Sequence, residues 1–210
     1  MGGFEHVLYL FEKGGLVMYP LLLSSIAVIA IAVERWQLFR SVDSGSQFVQ
    51  DISEQLQQDN WDGAKACALN GKGVLAKTLS DVFDRPKMNK NAVEAMLNTR
   101  ASLLVSDLRQ RLGYLGAMVT MSPLWGLLGT VVGMIGSFNV FALQAGAPTA
   151  ITGGVGEALI ATATGLCVAL AALIAHSIFA QWLDSILSNM EKTYAVLLEA
   201  IERSDEHEAA

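Results

Sequence analysis

Charge is what this sequence most lacks, and it lacks it in blocks. No Asp, Glu, Lys or Arg occurs between Arg111 and Glu157, and after Glu157 the next fixed charge is Asp184. Leu16–Val33 is a third such run, broken only by Ser24 and Ser25. A soluble domain does not carry uncharged runs of this length, so the blocks point to membrane helices. Cysteine is scarce too. Cys67 falls in a polar segment and Cys167 in an apolar run, so the two cannot readily pair and a disulfide scaffold is excluded. His6, His176 and His207 are scattered and no Cys/His spacing suits a metal, so no cofactor is expected. The apolar runs hold no Ser/His set and no paired Asp, which argues against an intramembrane enzyme. A net charge of −6 without a basic stripe argues against nucleic acid, and no polybasic cluster marks a lipid headgroup site.

What is present reads as an all-α integral membrane protein with three transmembrane helices. Phe4, Val7, Leu8 and Phe11 recur at helical spacing, which predicts an interfacial amphipathic helix over 1–13. The acidic amino end, with no small-x-small site after it, fits a signal peptide poorly. Gly14–Gly15 then breaks the chain before span one, 14–36, whose Pro20 lies in the first turns where a missing N–H matters least. Glu34, Arg35 and Trp36 close it at an interface.

The polar segment 37–111 reads as a run of helices. Phe48, Ile52 and Leu56 mark the first, Asn60–Trp61–Asp62–Gly63 opens the second and Asn70–Gly71 ends it. Val74–Phe83 forms the third, and Asn89 or Asn91 caps a fourth. This segment is either a partner-binding domain or a helical stalk that extends the bundle. The fourth helix meets no strong stop before span two, 112–143. Helical throughout from Asn89 to Leu143, it would measure about 80 Å and leave the bilayer. Pro123 predicts a kink or a loosened carbonyl near Val119. A loop over 144–152 follows, then span three, 153–180. An amphipathic helix and a frayed tail, 181–210, complete the chain. Spans two and three thus extend into a helical stalk. Thirteen of the fourteen Lys and Arg flank one face, and only Lys13 lies on the other. That bias places the stalk in the cytoplasm, the amino terminus outside and the carboxyl terminus inside.

Glu157 is the only carboxylate inside these runs, and an acid in hydrocarbon costs several kcal/mol unless paired or hydrated, so it is a candidate functional residue. Alternatively it snorkels to a nearby surface. Gly126, Gly129, Gly133 and Gly136 recur three and four apart on one stripe of span two, the spacing of close helix packing. Span three answers with Ala158, Ala161, Thr162, Thr164 and Gly165. Thr164 shares the azimuth of Glu157, while Thr162 lies roughly 140° away. Antiparallel spans bring Thr130 and Thr162 to similar depth, where two hydroxyls could flank a hydrated path or merely bond their own carbonyls. One carboxylate and a distant His176 do not make a complete proton relay. Several copies, or a partner, must supply the rest. A self-sufficient ion or solute transporter is the rival reading, and a structural scaffold another.

At these residues the sequence resembles the MotA/TolQ/ExbB proton-channel family, in particular its ExbB and TolQ branches. The resemblance rests on Ser122–Ile135, on Gly154–Leu166 and, more weakly, on Lys13–Pro20 with Glu34–Arg35. It implies an inner-membrane stator subunit in a homo-oligomeric ring, typically a pentamer, around two copies of an ExbD/TolR-type single-span protein. The partner's aspartate would carry the proton and drive a TonB- or TolA-like protein. The resemblance makes Glu157 the span-three glutamate, with Thr130 and Thr162 facing the partner. Gly153 and Ala171 stand where the ExbB and TolQ pattern has prolines. The short segment 37–111 argues against a flagellar role. Neither the ExbB-like nor the TolQ-like role, nor H⁺ against Na⁺, is distinguished by these residues.

Overall fold

Uninterrupted helix is the main feature of the computed structural model, which describes residues 11, 13–85, 89–143 and 148–209. Among these residues the helices are α1 (Met18–Val42), α2 (Ser46–Gln57), α3 (Trp61–Asn70), α4 (Gly73–Phe83), α5 (Lys90–Leu143) and α6 (Pro148–Ala209). Three of the helical segments are long and apolar enough to cross a membrane. The amphipathic helix expected over 1–13 lies outside the described residues, apart from Phe11 and Lys13. Chain contacts divide the molecule into two units. One holds the described residues up to Val33 with Leu112–Ser177, the other Glu34–Arg111 with Ile178 onward.

The first unit is sized inside out. Its buried residues are mostly small: Ser24, Ser122, Ser137, Ala158, Ala161, Ala169 and Ala172. A modest apolar knot of Val17, Met18 and Leu21 packs with Phe11 and Trp125. Many of its large side chains point outward, among them Leu23, Ile29, Leu124, Leu127, Ile135, Leu159, Leu170 and Ile174. In water this distribution would be unfavourable by about 25 cal/mol per Å² of exposed apolar surface. In hydrocarbon it costs nothing, and close packing of small residues becomes the cohesive force.

The second unit has the opposite, water-facing order. Phe48, Val49, Ile52 and Leu56 form the buried face of α2, and Leu75, Leu79 and Val82 that of α4. Leu183, Ile186, Met190, Tyr194 and Leu197 supply the face of α6. Asn60 caps α3, its Oδ1 accepting from the Gly63 N–H at 3.0 Å. Asn89 does the same for α5, accepting from the Asn91 N–H at 3.2 Å. Gly73 takes φ +87, in the left-handed region, where a side chain would meet Ser44 and the Val42 carbonyl. The Trp182 indole N–H donates to Asp43 at 2.6 Å, and its ring packs against Trp36 and Phe39. Arg35 is buried, with Glu34 within 3.4 Å, and Glu34 also pairs with Arg111.

Two boundaries differ from the sequence expectation. α6 starts at Pro148 rather than near Gly153, because proline is pre-set for a first helical turn and its missing N–H is unneeded there. At the other end the expected frayed tail is helical to Ala209. Its Glu and Ala residues favour helix, and just upstream Arg203 bonds the Leu56 carbonyl at 3.1 Å. α5 runs as one helix through Pro123.

Candidate functional site

The site lies in the first unit, along the seam of α5 and α6. Its geometry follows from missing side chains. A methyl group at Gly126 would lie 3.0 Å from Thr162 Cα and 3.1 Å from the Ala161 carbonyl. At Gly129 it would lie 2.5 Å from Ala161 Cβ, and at Gly133 3.0 Å from the Gly154 carbonyl. From the other helix, a methyl group at Gly165 would lie 2.6 Å from the Ser122 carbonyl and 3.1 Å from Gly126 Cα. Glycine is required here because the two backbones touch. Gly136 differs from its stripe mates: among the described residues, nothing beyond its own helix backbone and chain neighbours lies within 4 Å of where its methyl group would be, and it lines an open groove.

That groove, about 330 Å³, is bounded by Val132, Gly133, Gly136, Ser137, Val140, Gly154 and Glu157. Glu157 is half-buried, and its carboxylate also lies directly against Gly15, in the turn that starts α1. Thr162 donates to the Gly126 carbonyl across the seam at 3.2 Å and is within 3.1 Å of its own Ala158 carbonyl. Thr130 bonds Leu127 at 2.6 Å and Thr164 bonds Ile160 at 2.8 Å, each within its own helix. Of the three threonines, then, only Thr162 links the helices. Thr130 sits between Gly129, opposite Ala161, and Gly133, opposite Ala158, so it lies within about a turn of Thr162 in depth.

Two serines missed in the sequence complete the seam. Ser137 is buried against Gly154 and donates to Gly133 at 3.0 Å. Ser122 is fully buried with its hydroxyl unpartnered among the described residues. Each reads in the sequence as one polar interruption, though Ser137 falls one helical turn beyond Gly133 and Ser122 one before Gly126. His176, on α6, has its Nε2 3.6 Å from where a methyl group at Gly116 of α5 would be. No group of three or more His, Cys, Asp or Glu able to hold a metal occurs among the described residues.

A helical membrane protein with hydroxyls and one carboxylate along a tight glycine seam is the class these features define. The model of the MotA/TolQ/ExbB proton channel family matches residues 70–192, and the chain belongs to that family. It is 35% identical over 177 residues to the ExbB-like 1 biopolymer transport protein of Synechocystis sp., covering 78% of this chain and 66% of that relative's length. Against biopolymer transport protein exbB1 of Vibrio cholerae it is 26% identical over 200 residues, 90% of this chain and 86% of the relative. The Tol-Pal system protein TolQ of Pseudomonas aeruginosa is 33% identical over 139 residues, 62% of this chain and 60% of the relative.

Proposed function

We propose that the chain is a stator subunit of an inner-membrane proton channel that turns the proton motive force into mechanical work. One observation carries this reading: Glu157, the only carboxylate between Arg111 and Asp184, stands at a seam that also carries the hydroxyls of Ser122, Ser137 and Thr162. Hydroxyls can line a hydrated path, but a single acid cannot pass a proton across the whole thickness of hydrocarbon. Another titratable group must come from outside the chain. A single-span partner of the ExbD/TolR type, with an aspartate in its span, supplies it.

In this reading several copies, five by resemblance, form a ring around two partner helices. Spans 14–36, 112–143 and 153–180 cross the membrane, with segment 144–152 and residues 1–13 outside. Segments 37–111 and 181–210 form a cytoplasmic stalk. Thr130 and Thr162 offer hydroxyls to the partner's aspartate, Thr164 lies on the azimuth of Glu157, and Glu157 gates or packs beside the path. The glycines Gly126, Gly129, Gly133 and Gly165 hold the wall together. Relative motion of wall and partner reaches a TonB- or TolA-like protein and drives biopolymer transport, the ExbB-like role. The relatives named for biopolymer transport support it, and envelope maintenance of the TolQ kind is the second reading. The chain acts as a channel component, not an enzyme.

The test is reconstitution. Proteoliposomes are given a potassium-valinomycin potential and an internal pH dye. They carry the chain alone or with an ExbD/TolR-type single-span protein that bears an Asp in its span. Proton entry is expected only with both. Flux from the chain alone would favour a self-sufficient transporter, and no flux from the pair would sink the stator reading.

A further inference from the structure

We propose that Gly15 is a positioning residue for Glu157, and that its missing side chain is the berth in which the Glu157 carboxylate lies. The inference rests on the stator reading only for its functional arm. Gly15 has φ +71, a left-handed conformation that side chains rarely adopt. An added Cβ would fall on Glu157 Oε1, 2.7 Å from its Cδ and 3.3 Å from its Cγ. The whole end of the glutamate therefore lies along the glycine, more than a grazing contact of its tip. Immediately after Gly15 the chain turns into α1, the Met18 N–H returning to the Gly15 carbonyl at 3.1 Å. Val17, next in that turn, packs within 3.6 Å of where a Gly129 methyl would be. The start of α1 is thus fixed against the seam, and Gly15 is carried there with it.

The displaced group would have somewhere to go. A glutamate end is flexible, and its open side is the groove lined by Gly136, Ser137 and Val140. A methyl group at Gly15 would push the carboxylate off its seat and into that groove while leaving the seam glycines untouched. Seat and groove are two places for one carboxylate, and the identity of residue 15 chooses between them. A polar gate held by a backbone cleft would behave in this way.

Three measurements on the full chain in membranes test the inference. With Cys67 and Cys167 replaced by serine, Gly15→Cys and Glu157→Cys should be joined by a short bifunctional thiol cross-linker, since the length of one glutamate side chain spans the two positions. No cross-link would overturn the proposal. A hydrophobic carbodiimide should label Glu157 severalfold faster in Gly15→Ala than in the wild type, read by peptide mass spectrometry. Gly126→Ala, which strains the seam elsewhere, should leave that rate unchanged. Equal rates in Gly15→Ala and wild type, or equal acceleration by Gly126→Ala, would also overturn it. Neither measurement needs a partner, so both stand if the stator reading fails. In reconstituted flux with the partner, Gly15→Ala should lose most of the flux. Adding Glu157→Asp, one methylene shorter, should recover a large part of it. Loss without recovery would assign Gly15 a merely structural role.

Discussion

Thr162 donates its hydroxyl to the Gly126 carbonyl across the α5–α6 seam at 3.2 Å, while a methyl at Gly126 would come within 3.0 Å of Thr162 Cα. One glycine thus both admits the threonine's backbone and accepts its hydrogen bond. The pair fixes the register of the two helices.

Replacing that hydroxyl separates packing from hydrogen bonding. Thr162→Val keeps the shape and should destabilise the chain by about 0.6 kcal/mol, the usual worth of an interhelical hydrogen bond in a membrane protein. Thr162→Ser keeps the donor and should cost less. Melting of the detergent-solubilised chain checks both, and Thr162→Val with the stability of Thr162→Ser or better would show that the bond adds nothing. In the reconstituted pair, Thr162→Val should also lose proton flux.

Crowding the seam should cost more than losing its hydrogen bond. Gly129→Leu forces bulk against Ala161 and should destabilise by about 1–3 kcal/mol or separate the helices. Gly136→Ala, with open space around it, should be close to neutral by the same melt. Equal penalties at the two positions would contradict the observed course of the seam.

The Trp182 indole is held by Asp43 at 2.6 Å and is partly buried among aromatic rings. Trp182→Phe keeps a ring but removes the donor, and should cost about 1 kcal/mol after allowance for solvent at a part-buried pair. Asp43→Asn retains an acceptor and should be milder. Chemical denaturation followed by helical circular dichroism provides the measurement.

Tyr194 gives a pH signature. Burial pushes its phenol up to about 12, against the opposing pull of Thr78 and Arg100. The unfolded phenol ionises near 10, so between these values the unfolded state sheds a proton that the folded state keeps. The contribution of Tyr194 is therefore fully present below about pH 10 and lost as pH rises through 12. Ultraviolet titration should show one of the four tyrosines ionising last, and Tyr194→Phe should remove that late component. A titration unchanged by the substitution would place the late phenol elsewhere.

The helices of the second unit and the seam were legible for different reasons. Asn60, Asn70–Gly71 and Asn89 are local signals, and α3 and α5 begin or end where they stand. Gly126, Gly129 and Gly133 were legible because spacing by three and four defines a helix face whatever lies opposite. Gly136 shares that spacing but faces the groove, since periodicity says nothing of where the opposing helix ceases to touch. Ser122 and Ser137 were invisible because a lone serine in an apolar run carries no period of its own. The Gly15–Glu157 contact could not be read at all. It joins two distant parts of the chain, and only the packing of α1 onto the seam brings them together.

The first unit packs mostly small side chains within and turns many of its largest outward. Outside a bilayer, those outward leucines and isoleucines would seek any greasy neighbour, including unrelated nascent chains. Such a polypeptide cannot wait in the cytosol for a vacancy. Insertion into lipid during synthesis would spare it that exposure and would tie its supply to the capacity of the insertion machinery.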